Sequence, residues 1–174
     1  MRNKSVLFIT QAAVIAAIYV VLCQIFAPIS FRDVQVRIAE ALTILPFFTP
    51  AAIPGLFVGC ILGNLLGGAI PLDVVFGSFA TLIGALGTWA IGKWIRGKHP
   101  NGNKIKCLLP VPPILSNTII IPFILFYGYG IHVPIWMQMA TVGLGEVLSC
   151  GVIGMILLFA FEKAGARLFS LQAN

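Results

Sequence analysis

The sequence predicts an all-α, polytopic membrane protein with six transmembrane helices and both termini in the cytoplasm. Three observations carry that prediction. Of 174 residues, 59% are apolar and only 9% are charged, against about 25% charged in a soluble domain. Asp, Glu, Lys and Arg are absent from residues 5–31, 41–72, 74–92 and 107–145. The basic residues that remain fall in clusters. Sixteen charges (eleven basic, five acidic) cannot cover a soluble surface of this size. The composition therefore excludes a soluble enzyme, a disordered chain and a nucleic-acid-binding domain. The net charge of +6 reflects topology, because Lys and Arg collect on the cytoplasmic side. A β-barrel would need polar alternation and a turn about every ten residues, and the sequence has neither.

A spanning helix needs roughly 20 apolar residues to cross a core about 30 Å thick. The first uncharged stretch gives a span over 5–27. Arg2 and Lys4 before it, and the Ala-rich residues 12–17, imitate a signal peptide and its cleavage site. The run is too long for a signal h-region and the rest of the chain is equally apolar, so it reads as a span. The second stretch gives spans over 35–49 and 53–70. Pro46, Pro50 and Pro54 punctuate it. Proline removes a backbone donor and disfavours helix in the residue before it. Pro46 reads as a kink and 49–55 as an uncharged turn, with one adjacent span short or tilted. The third stretch gives 73–95. The fourth is cut by Gly128-Tyr129-Gly130 and gives 107–127 and the start of 134–161, which Val147 to Phe161 completes. The chain reads as a single membrane domain, 1–174.

Six spans place Arg2, Lys4, Lys93, Arg96, Lys98, Lys104, Lys106, Lys163 and Arg167 on one side, leaving only Arg32 and Arg37 opposite. Nine of eleven basic residues on one face make that face cytoplasmic. The cysteines, at 23, 60, 107 and 150, have no metal-ligand spacing and read as small packing residues. No cofactor and no metal are expected.

Ionisable and amide groups inside a membrane usually face a cavity or another polar group. Glu146 lies well inside the last span, with no basic residue near in sequence. It reads either as a structural carboxylate or as a ligand contact or proton relay. Asn117 sits mid-span in the fifth helix and Asn64 late in the third. Each is a helix-joining amide or a wall of a shared site. Arg37 and Glu40 are three apart; in a helix they share a face and can pair, or one can point over a cavity. Tyr127, Tyr129, His132 and Trp136 bracket the last external loop as an interfacial belt or as a surface for a planar ligand. Ala12, Ala13, Ala16 and Ala17 form a small-residue stripe on the first helix, fit for close approach of another helix. The chain has no Walker sequence and no hydrolase or zinc-protease motif, so it is not expected to be an enzyme.

Six spans, an Ala-x-x-x-Ala first helix and no nucleotide motif resemble the substrate-binding S component of energy-coupling factor (ECF) transporters. The run Val36-Arg37-Ile38-Ala39-Glu40-Ala41-Leu42-Thr43-Ile44-Leu45-Pro46, with Gly59-Cys60-Ile61-Leu62-Gly63-Asn64-Leu65, is similar to the QueT family of queuosine-precursor transporters over nearly the whole chain. The resemblance implies a bacterial cytoplasmic-membrane protein that binds a 7-deazaguanine, in the aminomethyl or cyano form, from outside. It implies docking on a T component through the small-residue face of the first helix, and two ATPases that drive delivery inward. Glu146 and Glu40 are then expected to bind substrate, with Asn117, Asn64, Arg37, Trp136 and Tyr127 around them. An S component for another vitamin-like molecule, or a stand-alone proton- or ion-coupled carrier, is the alternative.

Overall fold

The computed structural model describes residues 4–26, 37–98 and 103–165, with side chains at 103 and 104 excepted. Arg2, Arg32, Asp33 and Arg167 lie outside them. The described residues are helical, with no strand among them. Six helices follow in order: α1 (Lys4–Ile25), α2 (Ile38–Phe47), α3 (Ala52–Leu66), α4 (Asp73–Lys98), α5 (Val111–Tyr127) and α6 (Ile135–Lys163). A 3₁₀ segment, Asn103–Leu108, leads into α5. Four apolar stretches are long enough to cross a membrane: Lys4–Ile25, Asp73–Lys98, Ile105–Tyr127 and Ile135–Lys163.

α2 and α3 depart from the spans expected at 35–49 and 53–70. α2 is a ten-residue 3₁₀ helix, and residues 39–47 are all buried. At about 2.0 Å per residue it is roughly 20 Å long, short of a bilayer core. Pro46 has no N–H to return to the previous turn, which helps explain the departure from α-helical bonding. α2 is a central post packed by α1, α3, α4 and α6. α3 has fifteen residues, about 22 Å.

α1 turns only Ile15, Ala16 and Tyr19 fully inward. Its inner face meets three glycines of α3 spaced four apart. A Cβ on Gly55 would lie 2.7 Å from the Ala12 carbonyl, one on Gly59 2.9 Å from Tyr19 Cβ, and one on Gly63 3.0 Å from Cys23 Sγ. Such a surface lets backbones approach closely. Ala12 and Ala16 are thus engaged inside the fold, while Ala13 and Ala17 are exposed. The docking expectation narrows to that second pair.

Two helices carry a local widening. α4 begins with a π turn, Asp73–Gly77, and α6 contains another, Val147–Ile153. π turns recur at functional sites because they re-aim side chains. At one end of the bundle Lys106 pairs with Glu162 at 2.7 Å. Arg96 donates to the Phe47 carbonyl and lies over the Phe47 ring. Asp73, at the start of α4, marks the opposite end.

Candidate ligand-binding site

The centre of the bundle is a carboxylate pair. Glu40, on α2, is fully buried. Its Oε1 accepts from the Tyr19 hydroxyl of α1 at 2.5 Å and from Thr81 Oγ1 of α4 at 2.7 Å. Its Oε2 is 3.4 Å from Asn117 Nδ2 of α5. One side chain therefore joins four helices. Glu146, on α6, is equally buried. Its Oε2 meets the Cys150 thiol, one turn on, at 3.2 Å. Cys150 also approaches the Glu40 carbonyl, at 3.4 Å. Carboxylate oxygens of Glu40 and Glu146 and the Cys150 sulfur lie within 4.8 Å of one another.

Two ionised carboxylates at that distance repel by about 3.5 kcal/mol at an effective dielectric constant near 20. Neither carboxylate forms an ion pair with a cationic side chain among the described residues. Arg37 is committed elsewhere: its Nη2 donates to Asp73 Oδ1 and Oδ2 at 3.2 and 3.1 Å. The expected Arg37–Glu40 pair is not formed. Arg37 precedes α2 with non-helical backbone angles, so the shared helix face on which that expectation rested is missing. Asn117 adds to the imbalance, because its buried Oδ1 has no donor. Glu146, with the Cys150 thiol as its donor, and Asn117 Oδ1 are the acceptors of the cluster with room for a further donor.

A second polar layer caps the first towards the Asp73 end. The Tyr129 hydroxyl donates to Asp73 Oδ2 at 3.1 Å and accepts from the Ile70 amide at 3.4 Å. Partial burial and the neighbouring Asp73 carboxylate raise the Tyr129 pKa above its usual value. Asn64 Nδ2 donates to the Asp73 carbonyl at 3.3 Å. Gly77 sits beneath, where a Cβ would fall 2.7 Å from Asp73 Oδ1. The Gly77 carbonyl in turn accepts from Thr81 Oγ1 at 3.3 Å. Thr81 Oγ1 thus lies between the Gly77 carbonyl and Glu40 Oε1, with its one hydroxyl proton available to either.

The structure gathers Glu40, Glu146 and Asn117 at the centre and Arg37 and Asn64 in the layer above. It does not gather Tyr127 and Trp136, which are 74% and 72% exposed. The buried stripe of α5 runs through Ser116, Asn117, Ile121, Ile124 and Leu125, and Tyr127 falls beside it. On α6 the stripe begins at Gln138, and Trp136, two residues earlier, faces the opposite way. Both suit an interfacial belt. Two apolar grooves on the outside, of 320 Å³ and 580 Å³, contain no acidic residue in their linings. The acidic and amide side chains that could meet a polar ligand lie in the buried cluster instead.

Sequence reasoning passed over Tyr19, Thr81, Asp73 and Cys150. Tyr19 shares a helix face with Ile15 and Ala16, and a tyrosine on the inner stripe of a span needs a partner for its hydroxyl. Thr81 and Cys150 gave no signal, since both residue types are ordinary packing residues in membrane helices. Cys107, read as packing, is exposed.

The chain matches the QueT transporter family over residues 9–163. It is similar to the queuosine precursor transporter QueT of Lactococcus lactis subsp. cremoris (strain MG1363). The two are 26% identical over 170 residues, which cover 96% of this chain and 97% of that protein. No solved structure gives a significant match.

Proposed function

Because the chain belongs to the QueT transporter family, we propose that it is the S component of an ECF-type importer for a queuosine precursor. In this reading it binds a 7-deazaguanine, in the aminomethyl or cyano form, from outside the bacterial cytoplasmic membrane. A T component and two ATPases then drive delivery inward. Membrane transport itself follows from the family, which is one of transporters and not of enzymes.

The observation that carries the ligand reading is the buried pair of Glu40 and Glu146, with Asn117 beside it and no ion pair to either carboxylate among the described residues. A guanine edge presents N1–H and an exocyclic amine as adjacent donors, which one carboxylate can accept together. A protonated aminomethyl group brings three more donors. Glu40 already holds two donors on Oε1, so Glu146 is the freer acceptor and takes the guanine edge. Glu40 Oε2 and Asn117 Oδ1 remain for the ammonium group. Arg37 and Asn64 line the entrance through Asp73.

In this reading the chain crosses six times, with α2 and α3 as the short passes and both termini cytoplasmic. The placement of nine of eleven basic residues supports that orientation. The exposed Ala13 and Ala17 offer the T component a smooth face.

The test is ligand binding to purified protein by calorimetry. Glu146→Gln and Glu40→Gln each weaken binding of the aminomethyl deazaguanine by roughly 2–5 kcal/mol, as truncation of buried charged contacts does. Wild-type affinity in both variants removes the pair from the site.

A further inference from the structure

A positive charge at the centre can also be inorganic. Glu40 from α2 and Glu146 and Cys150 from α6 place two carboxylates and a thiol within 4.8 Å of one another, all buried. Asn117 is a separate sign of a missing partner. It is 1% exposed, its amide nitrogen lies 3.4 Å from Glu40 Oε2, and its Oδ1 has no donor. A buried acceptor without a donor costs about 1–3 kcal/mol, which a cation at this point would offset. We propose that Glu40 Oε2, the Glu146 carboxylate, Cys150 Sγ and Asn117 Oδ1 form a binding site for a divalent transition-metal cation of the zinc type.

The donor set selects the metal class. One sulfur and three oxygens suit a four-coordinate, borderline-soft ion, whereas Mg²⁺ and Ca²⁺ require six or more oxygens. Zinc bonds of about 2.3 Å to sulfur and 2.0–2.2 Å to oxygen put neighbouring donors about 3.3–3.6 Å apart. Cys150 Sγ and Glu146 Oε2 already stand at 3.2 Å, the Glu40 carboxylate oxygen lies within 4.8 Å of both, and Asn117, whose amide nitrogen faces Glu40 Oε2, presents Oδ1 by turning its amide over. Tyr19 and Thr81 hold Glu40 Oε1, the outer-shell support that metal-ligating carboxylates use. As the sulfur–metal bond forms, the Cys150 thiol gives its proton to solvent. Sequence spacing hid this set, because Glu40 and Cys150 are 110 residues apart. Metal and organic ligand share donors, so each excludes the other, but the metal site does not depend on which organic ligand the protein carries.

Cobalt(II), titrated into the full-length protein in detergent without organic ligand, is the probe. One equivalent saturates, with the visible bands of tetrahedral cobalt and a near-ultraviolet thiolate-to-cobalt charge-transfer band. Cys150→Ser abolishes the charge-transfer band, Cys107→Ser leaves it, and Glu146→Gln weakens cobalt binding at least about tenfold. Absence of saturable binding overturns the proposal, as does a charge-transfer band that survives Cys150→Ser or disappears in Cys107→Ser. If Cys150→Ser does not fold, Glu146→Gln decides, and unchanged cobalt affinity there overturns it. Titrating the aminomethyl deazaguanine into metal-free protein separates the two readings. Failure of the deazaguanine alone removes the ligand assignment and leaves the metal; failure of cobalt alone does the reverse.

Discussion

Removing Arg37 should cost this protein more stability than removing Arg37 and Asp73 together. The two groups meet at 3.1 Å with side chains only 7% and 3% exposed. At an effective dielectric constant of 20 their attraction is about 5 kcal/mol. Desolvation of both ions takes back much of that, so a buried pair is worth little against an apolar pair of similar volume. Breaking it from one side is different. In Arg37→Met the Asp73 carboxylate stays buried with Tyr129 as its remaining side-chain donor. The expected loss is about 3–5 kcal/mol. Asp73→Leu strands the guanidinium with a similar loss. Asn64 bonds the Asp73 main-chain carbonyl, so that contact survives the substitution. The double variant should return to within about 1–2 kcal/mol of wild type. Unfolding in mixed micelles, followed by circular dichroism as sodium dodecyl sulfate is added, measures all four corners of the cycle. Single losses below about 1 kcal/mol, or strict additivity in the double variant, would refute the reasoning that this pair is a buried unit.

Two further outcomes follow from the packing and the cap. Gly59→Val places a side chain where a Cβ already falls 2.9 Å from Tyr19 Cβ and 3.1 Å from Ala16 Cα; it should destabilise by about 1–3 kcal/mol, read from the same unfolding curves. Ala17→Leu, on the exposed side of α1, should leave the unfolding midpoint and ligand affinity unchanged while stopping uptake in cells that supply the T component and ATPases; a lowered midpoint would place Ala17 inside the fold instead. Tyr129 gives a pH signature. Partial burial and Asp73 raise its pKa above the usual value of 10.0, so the folded state keeps the proton longer than the unfolded state. Its contribution is complete below about pH 10 and is lost as pH climbs through the folded value. Stability of Tyr129→Phe should therefore fall less steeply above pH 10, and parallel curves would count against the Tyr129–Asp73 bond.

The sequence announced the helical membrane class through missing charge, and it pointed to Glu40, Glu146, Asn64 and Asn117 because amides and carboxylates are costly in an apolar chain. It could not show the depth of α2. Pro46 signals a break, but burial of residues 39–47 on every side depends on four other helices closing around them. The Arg37–Glu40 pairing failed for a related reason, since the three-residue spacing assumed Arg37 inside a helix that begins one residue later. Asp73 stands at the start of α4. Its partners, Arg37 and Tyr129, are 36 and 56 residues away, beyond any local pattern. Ala12 and Ala13 are adjacent and chemically alike, and only the position of α3 separates the inner pair of alanines from the outer one.

A helix with no outward face has a particular consequence for variation. Away from Ala13 and Ala17, α1 can exchange its outward apolar side chains for others without disturbing the rest of the fold. α2 has no such freedom, for every position from Ala39 to Phe47 is buried. A saturation scan should therefore read as a periodic stripe of tolerance along α1 and as an unbroken block of intolerance along α2. In that block, constraint from the recognition proposed for Glu40 and constraint from fit would be superimposed, and residue-by-residue loss of function would point to Glu40 no more strongly than to its apolar neighbours.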